Sequence, residues 1–174
     1  MVRQRHWVNR GGGGECVFIT ATVLDFVHAF AREEPRDALV SVIKGECRRT
    51  GSRLHAYVVM PHHLHMVLNL PEKLDQRKFM AGFKPRSSAR IKPLLTQDER
   101  DAFSEQTGLN RNTFWQRSFR GLVIETPAFF WQKVKYVHEN PRRAGYVENP
   151  AEYRWSSAHE WEAGRWDEAE GLSI

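Results

Sequence analysis

Residues 57–70 read YVVMPHHLHMVLNL, an apolar run broken by one proline and three histidines. The apolar and β-branched residues on either side predict two strands, 52–60 and 64–70, joined by a tight PHH connection into an antiparallel hairpin. Alternate residues of a strand share a face. His63 and His65 therefore project together, while Leu64, Met66 and Leu68 turn the other way, into the core. On the same alternation His62 belongs to the face opposite the pair. Imidazoles are poor filler for such a run. Two of them on one strand face can meet a single divalent ion, because neutral imidazole is a common metal ligand. Two histidines on a solvated strand would look the same, so the motif alone leaves both readings open.

The rest of the chain reads outward from this hairpin. CVFITATVL (16–24) predicts a preceding strand. Residues 36–51, opened by Pro35 and closed by Gly51, place Leu39, Val42, Ile43 and Cys47 at helical spacing. Residues 73–92 predict a second helix with a ragged end at Pro85 and Pro93. Residues 93–113 are polar and turn-rich, the pattern of a mobile loop. Residues 113–125 predict a fourth strand. Thr126 and Pro127 then suit the N-cap and first position of a helix over 128–140, ending before Pro141. This order predicts an α+β fold of ferredoxin-like or RRM-like type, an antiparallel sheet with helices packed on one face. The expected organisation is a flexible basic arm over 1–14, one domain over 15–160 and a C-terminal tail over 161–174.

A chain of 174 residues can bury one substantial core. It has no apolar stretch long enough to span a bilayer, and its start lacks the apolar region of a secretory signal. Cys16 and Cys47 match neither a zinc-finger spacing nor a disulfide framework, which suits a reducing cytoplasm. The net charge of +5 points mildly to a polyanion. Its basic residues fall in groups: Arg3, Arg5 and Arg10; Lys84 and Arg86 with Arg90 and Lys92; Arg117 and Arg120 with Arg111; Lys133, Arg142 and Arg143 with Lys135. Aromatic residues interleave with these groups, a combination that suits single-stranded nucleic acid. Solvated charge over core aromatics is the plainer alternative.

Tyr136 lies on the 128–140 helix, with Gln132 one turn before it and Asn140 one turn after on the same face. An amide oxygen there could join a metal shell that accepts oxygen donors. For a helical tyrosine taken alone, a half-buried ring with a satisfied hydroxyl is the ordinary reading. The joint pattern goes further. VFIT, VVMPHHLHMVLNLP, FWQRSF, YVHENPRRAGYV and YRWSS occur in order, and over residues 15–160 the chain resembles the REP-associated tyrosine transposases, single-tyrosine members of the HUH superfamily.

That resemblance implies a metal-dependent endonuclease and strand transferase. Its substrate would be single-stranded, palindromic hairpin DNA, cut through a 5′-phosphotyrosine intermediate. His63 and His65 would be the metal pair, Asn140 the third ligand and Tyr136 the nucleophile, with Mg2+ or Mn2+ as the ion. The chain would act as a monomer, with a dimer as the alternative, in the bacterial cytoplasm at the nucleoid and away from membranes. Arg3, Arg5, Arg10, Lys84, Arg86, Arg117, Arg120, Lys133, Arg142 and Arg143 are the candidate DNA contacts. Gly121 stands near a place where the family usually carries an acidic residue. A non-catalytic hairpin binder and a replication or relaxase-type nickase are the competing functions. The latter often has Lys four residues after its tyrosine, where this chain has Asn140.

Overall fold

In a computed structural model describing residues 14–101, 113–167 and 171–172, the CVFIT strand occupies the interior of a four-stranded antiparallel sheet. Strands β1 (Cys16–Thr22), β2 (Arg53–Met60), β3 (His63–Asn69) and β4 (Arg120–Val123) lie in the order β2-β3-β1-β4. Helix α1 (Glu33–Thr50) connects β1 to β2, and α2 (Gln76–Ile91) connects β3 to β4. This is the connectivity and strand order of the expected ferredoxin-like unit. β4 is shorter than the expected 113–125, although Trp115 still forms an isolated bridge to Val23.

Side-chain alternation divides β1 between two cores. Val17, Ile19 and Ala21 join Leu64, Met66 and Leu68 of β3 against Leu39, Ile43 and Cys47 of α1 and Phe79 and Phe83 of α2. Phe18 instead joins Ala56, Val58 and Val67 in a second cluster with Phe130, Val134 and Val137. Those last three belong to α3 (Pro127–Arg143), which lies across the opposite face of the sheet. The two helices of the ferredoxin-like unit thus share one face, and α3 adds a layer on the other.

Local chemistry sets the helix ends. In α1, Glu33 and Glu34 occupy the first turn and Arg48 and Arg49 the last, each favoured by the helix dipole. Gly51 closes it in the left-handed region at φ 71°. The Thr126 hydroxyl accepts the Phe129 N–H at 3.2 Å and Pro127 fills the first turn, as the sequence predicts. Two prolines do not stop their helices. Pro85 lies inside α2 and Pro141 inside α3. A helical proline forfeits one backbone bond. At Pro141 the loss falls in the final turn of a helix already anchored by Phe130, Val134 and Val137. At Pro85 the flanking Phe83 and Ser87 stay buried and hold the helix on course.

The β2–β3 hairpin turns at Pro61 and His62, and a preceding segment straps it down. The Val23 N–H donates to the His62 carbonyl at 2.8 Å, and the Phe30 N–H to the Pro61 carbonyl at 2.9 Å. Between these bonds, Asp25 and Phe26 both adopt positive φ, 51° and 59°. The polar segment 93–113 begins as a short 3-10 turn, Lys92–Leu94, and residues 97–101 start a helix held by an Arg32–Glu99 ion pair at 2.8 Å. The mobile loop expected there otherwise lies outside the described residues.

The chain's end folds onto β2. Short helix α4 (Ala158–Glu162) is followed by β5 (Trp166–Asp167) and β6 (Gly171–Leu172). Trp161 stacks on Trp166 at 3.9 Å and donates its indole N–H to the His55 carbonyl at 2.7 Å. No helix among the described residues is long and apolar enough to cross a membrane.

Two glycines make opposite predictions. A Cβ at Gly14 would fall 1.5 Å from the Leu70 carbonyl oxygen, a backbone atom that cannot swing aside. Gly14→Ala should lower stability by about 1–3 kcal/mol. A Cβ at Gly45, inside α1, would have no atom of another residue's packing within 4 Å. Gly45→Ala should raise stability by about 0.5–1 kcal/mol. Urea unfolding of the two variants checks both signs.

Candidate active site

Antiparallel pairing decides what surrounds the histidines. Thr20 of β1 lies opposite His65 of β3, and Thr22 lies opposite His63. Directly opposed residues share a face, so both threonines border the imidazoles. Thr20 Oγ1 is 2.8 Å from His65 Nδ1, which leaves Nε2 as the ring nitrogen open to another partner. The His63 and His65 ring centroids are 4.8 Å apart. Burial holds both rings neutral, with His63 lowered to about 4, helped by His62, and His65 to about 3, helped by His63 and Lys133. Neutral imidazole is the form that binds metal.

The other half of the site comes from α3. The Tyr136 ring lies 5.2 Å from that of His65 and meets Phe18 edge-on at 5.8 Å. Phe18 also stacks on His65 at 5.4 Å, so three aromatic rings lock one another in place. Of the four tyrosines, Tyr136 is the one the described contacts place against the pair. Tyr57 faces the other core, Tyr153 donates its hydroxyl to the Val59 carbonyl at 2.9 Å, and Tyr146 is exposed beside Tyr153. Asn140 follows one turn after Tyr136 and is half-buried. His65 and Tyr136 meet within a single chain.

His62 is not turned away from the pair. It occupies the hairpin turn, where strand alternation does not apply, and its ring sits 4.5 Å from His63. His28 stacks on His62 at 5.3 Å, and Phe26, 60% exposed, meets it edge-on at 5.7 Å. His62 Nδ1 is buried with no hydrogen-bond partner. Among the described residues, no three His, Cys, Asp or Glu side chains form a metal-binding group. A cation held by His63 and His65 would need further oxygen donors, from the Asn140 amide, water or substrate, to complete its shell, and Asn140 follows Tyr136 by one turn of α3.

The candidate DNA contacts separate by position. Lys133 lies over the rings of Phe18 at 4.8 Å and Tyr136 at 5.6 Å, and the Arg143 guanidinium is 5.9 Å from the Tyr136 ring. Arg120, exposed on β4, stands opposite Thr20 and helps to lower the Lys133 pKa, after burial. These three cations ring the site. Arg117 is exposed on the adjoining segment, and Arg142 pairs with Glu139 at 2.6 Å. Lys84 is engaged elsewhere, donating to the carbonyls of Gln116, Arg117 and Ser118 at 2.7, 3.1 and 3.2 Å. Arg86 pairs at 3.2 Å with the buried Glu46, on the α1–α2 side of the sheet. Arg3, Arg5 and Arg10 lie outside the described residues. Gly121 also belongs to the far side. It pairs with Ile19, and a Cβ there would meet the Gln76 side-chain oxygen at 1.8 Å.

Phe18, Thr20 and His28 are not among the sequence candidates. The alternation of CVFITAT separates Phe18 and Thr20 from Val17 and Ile19, but only the β1–β3 register shows that they border the histidines.

Residues 22–140 match the family model described as "Transposase IS200 like". A protein of Haemophilus influenzae, provisionally named a REP-associated tyrosine transposase, is 28% identical over 126 residues, 68% of this chain and 66% of that protein. The REP-associated tyrosine transposase of Escherichia coli K12 is 26% identical over 106 residues, 61% of this chain and 54% of that protein. The chain thus spans just under two thirds and about half of the lengths of these relatives. A solved structure of a REP-associated tyrosine transposase bound to a REP hairpin has a similar fold, with a TM-score of 0.60, 21% identity, and coverage of 100% of this chain and 98% of that one.

The neutral histidines carry a pH prediction. Burial lowers His55, His63 and His138 to about 4 and His65 to about 3. Each titrates near about 6.5 in the unfolded chain. Between these values the unfolded chain binds more protons, so stability is full above pH about 6.5 and falls as pH drops to about 4, and to about 3 for the part due to His65. Urea midpoints across that range should decline steadily, and His55→Gln should flatten part of the decline.

Proposed function

The chain belongs to the IS200-like transposase family, and on that premise we propose that it is a REP-associated tyrosine transposase that cuts and rejoins single-stranded hairpin DNA. The observation that carries this reading is the approach of Tyr136 to His65, 5.2 Å between ring centroids, on the sheet face that also presents His63. A hydroxyl nucleophile, two neutral imidazoles and three surrounding cations are the parts a phosphoryl transfer needs: an attacking oxygen, an electrophile-binding site and charge to hold a phosphate.

In the proposed reaction Tyr136 Oη bonds to the scissile phosphorus and the bond to the 3′ oxygen breaks. The phenolic proton passes to solvent, and the departing strand takes up a proton as a free 3′-hydroxyl. A 5′-phosphotyrosine remains. It conserves the phosphodiester, so a 3′-hydroxyl can reverse the attack without ATP. Lys133 and Arg143, beside the Tyr136 ring, supply positive charge for a phosphate there. His63 and His65, with Asn140 as an oxygen donor, are the residues that would hold a divalent cation. When bound, such an ion supplies Lewis-acid polarisation of the phosphate. Two nitrogen donors suit Mn2+ better than Mg2+, which prefers an all-oxygen shell.

The substrate follows from the hairpin bound by the solved relative, and from Arg117, Arg120, Lys133, Arg142 and Arg143 as surface cations for its phosphates. Because His65 and Tyr136 come from one chain, a monomer suffices, and action on the bacterial nucleoid follows from the substrate.

The test incubates the protein with labelled repeat hairpins and Mn2+ or Mg2+, then resolves covalent adducts on a denaturing gel. The native chain should give an adduct and a free 3′ end. Tyr136→Phe should abolish both while leaving hairpin affinity within about threefold. His63→Ala and His65→Ala should each remove metal-dependent cleavage, as should EDTA. Cleavage by Tyr136→Phe would exclude that residue as nucleophile, and undiminished cleavage in EDTA would exclude the metal. Hairpin binding with no adduct in either metal would instead identify a non-catalytic binder.

A further inference from the structure

Beside the histidines lies a cavity of about 320 Å³ lined by Thr20, Thr22, Gln116, Ser118, Phe119 and Arg120. We propose that it receives one base of the single-stranded DNA next to the scissile phosphate and gives the reaction its sequence preference. This rests on the function proposed above and deepens it.

The cavity's position is fixed by sheet register. Its floor is the outward side of β1, where Thr20 and Thr22 stand opposite His65 and His63. Its rim includes Arg120, opposite Thr20 on the other side. A strand whose phosphate sits at the imidazoles therefore has the cavity one strand away. The volume falls at the small end of ligand sites, enough for a base and too small for a duplex.

The lining chemistry suits a nucleotide. The Phe119 ring turns to the other side of the sheet, beside Gly121 and Lys84, so the cavity is walled by polar groups and recognition falls to a base edge. Thr22, Gln116 and Ser118 offer neutral donors and acceptors for a base edge, and the Gln amide can contact a base bidentately. Arg120 supplies positive charge for the phosphate, and among the described residues no carboxylate lines the cavity to repel it.

The wall is also built before any ligand arrives. The Gln116 N–H donates to the Thr22 carbonyl at 2.9 Å, and Trp115 bridges Val23 and donates its indole N–H to Ser87 Oγ at 2.9 Å. Lys84 Nζ ties down the carbonyls of residues 116–118 and lies 5.5 Å from the Phe119 ring centre. With its backbone pinned, Gln116 lines the cavity with little left to order on binding.

The experiment uses the full chain carrying Tyr136→Phe, so that binding is read without cleavage. Repeat hairpins with randomised single-stranded flanks are selected for binding, and the preferred hairpin is remade with an abasic site at each flank position in turn. One position should show a base preference, and its abasic substitution should weaken binding about 5- to 100-fold. Gln116→Ala should remove most of that penalty and leave the others unchanged, and Ser118→Ala should relax the preference at that position alone. Both variants remove only a side chain from a strap held through its backbone, and Ser118 is exposed, so both should fold and keep the test decisive. Equal abasic penalties in the parent and both variants would overturn the proposal. An adduct from the native chain together with equal penalties would keep the nuclease and remove the pocket. A pocket-dependent penalty with no adduct from the native chain would keep the pocket and remove Tyr136 as nucleophile.

Discussion

The antiparallel register of β1 against β3 is the constraint on which everything else rests. It places Thr20 opposite His65 and Thr22 opposite His63, and in the same stroke places Ile19 opposite Met66 and Val17 opposite Leu68. The first pairs make the site and the second make the core under α1 and α2. A shift of one residue would exchange the two faces. The imidazoles would then be driven into a dry apolar layer, and leucine and methionine would face the position now held by α3. Selection for a packed core and selection for a working site therefore act on the same hydrogen-bond ladder.

Helix α3 turns that ladder into a closed arrangement. Phe130, Val134 and Val137 recur at helical spacing and seat the helix on Phe18, Val58 and Val67. Tyr136 adjoins this buried stripe, which is why its ring reaches His65 while Lys133 and Arg143 flank it. The surroundings are electrostatically one-sided. Burial keeps the histidines uncharged, and Lys133, Arg143 and Arg120 around them are all positive. Such a face attracts a phosphate, and salt should weaken that attraction where the cations are exposed.

Much of this is legible in the chain itself, because local rules suffice for it. Strand alternation separates His63 and His65 from Leu64 and Met66, and helical periodicity puts Asn140 under Tyr136. Thr126 and Pro127 mark the start of their helix by capping chemistry alone. The features that escape are those set by tertiary packing. Strand alternation misplaces His62 because the residue sits in the turn, and nothing local says where a two-residue turn begins. Pro141 stays helical because the stripe before it is buried, a long-range fact. Lys84 reads as one more surface cation until the fold brings three carbonyls of residues 116–118 around it. Phe18, Thr20 and the Gln116–Arg120 wall become visible only once β1 has neighbours on both sides.

The seating of α3 also bears on what could move in the proposed strand exchange. Tyr136 rides on a helix held at three buried positions, with its ring wedged between Phe18 and His65. A DNA end joined to its hydroxyl would have only the freedom of one side chain, and would stay where it was cut. In the proposed reaction the protein would be a fixed clamp with a single jaw. Any incoming strand would have to travel to the held end, and a second end could be held only after the first had been released or by a second molecule. The order of events in such a reaction would be set by the mobility of the nucleic acid, with the protein as the stationary partner.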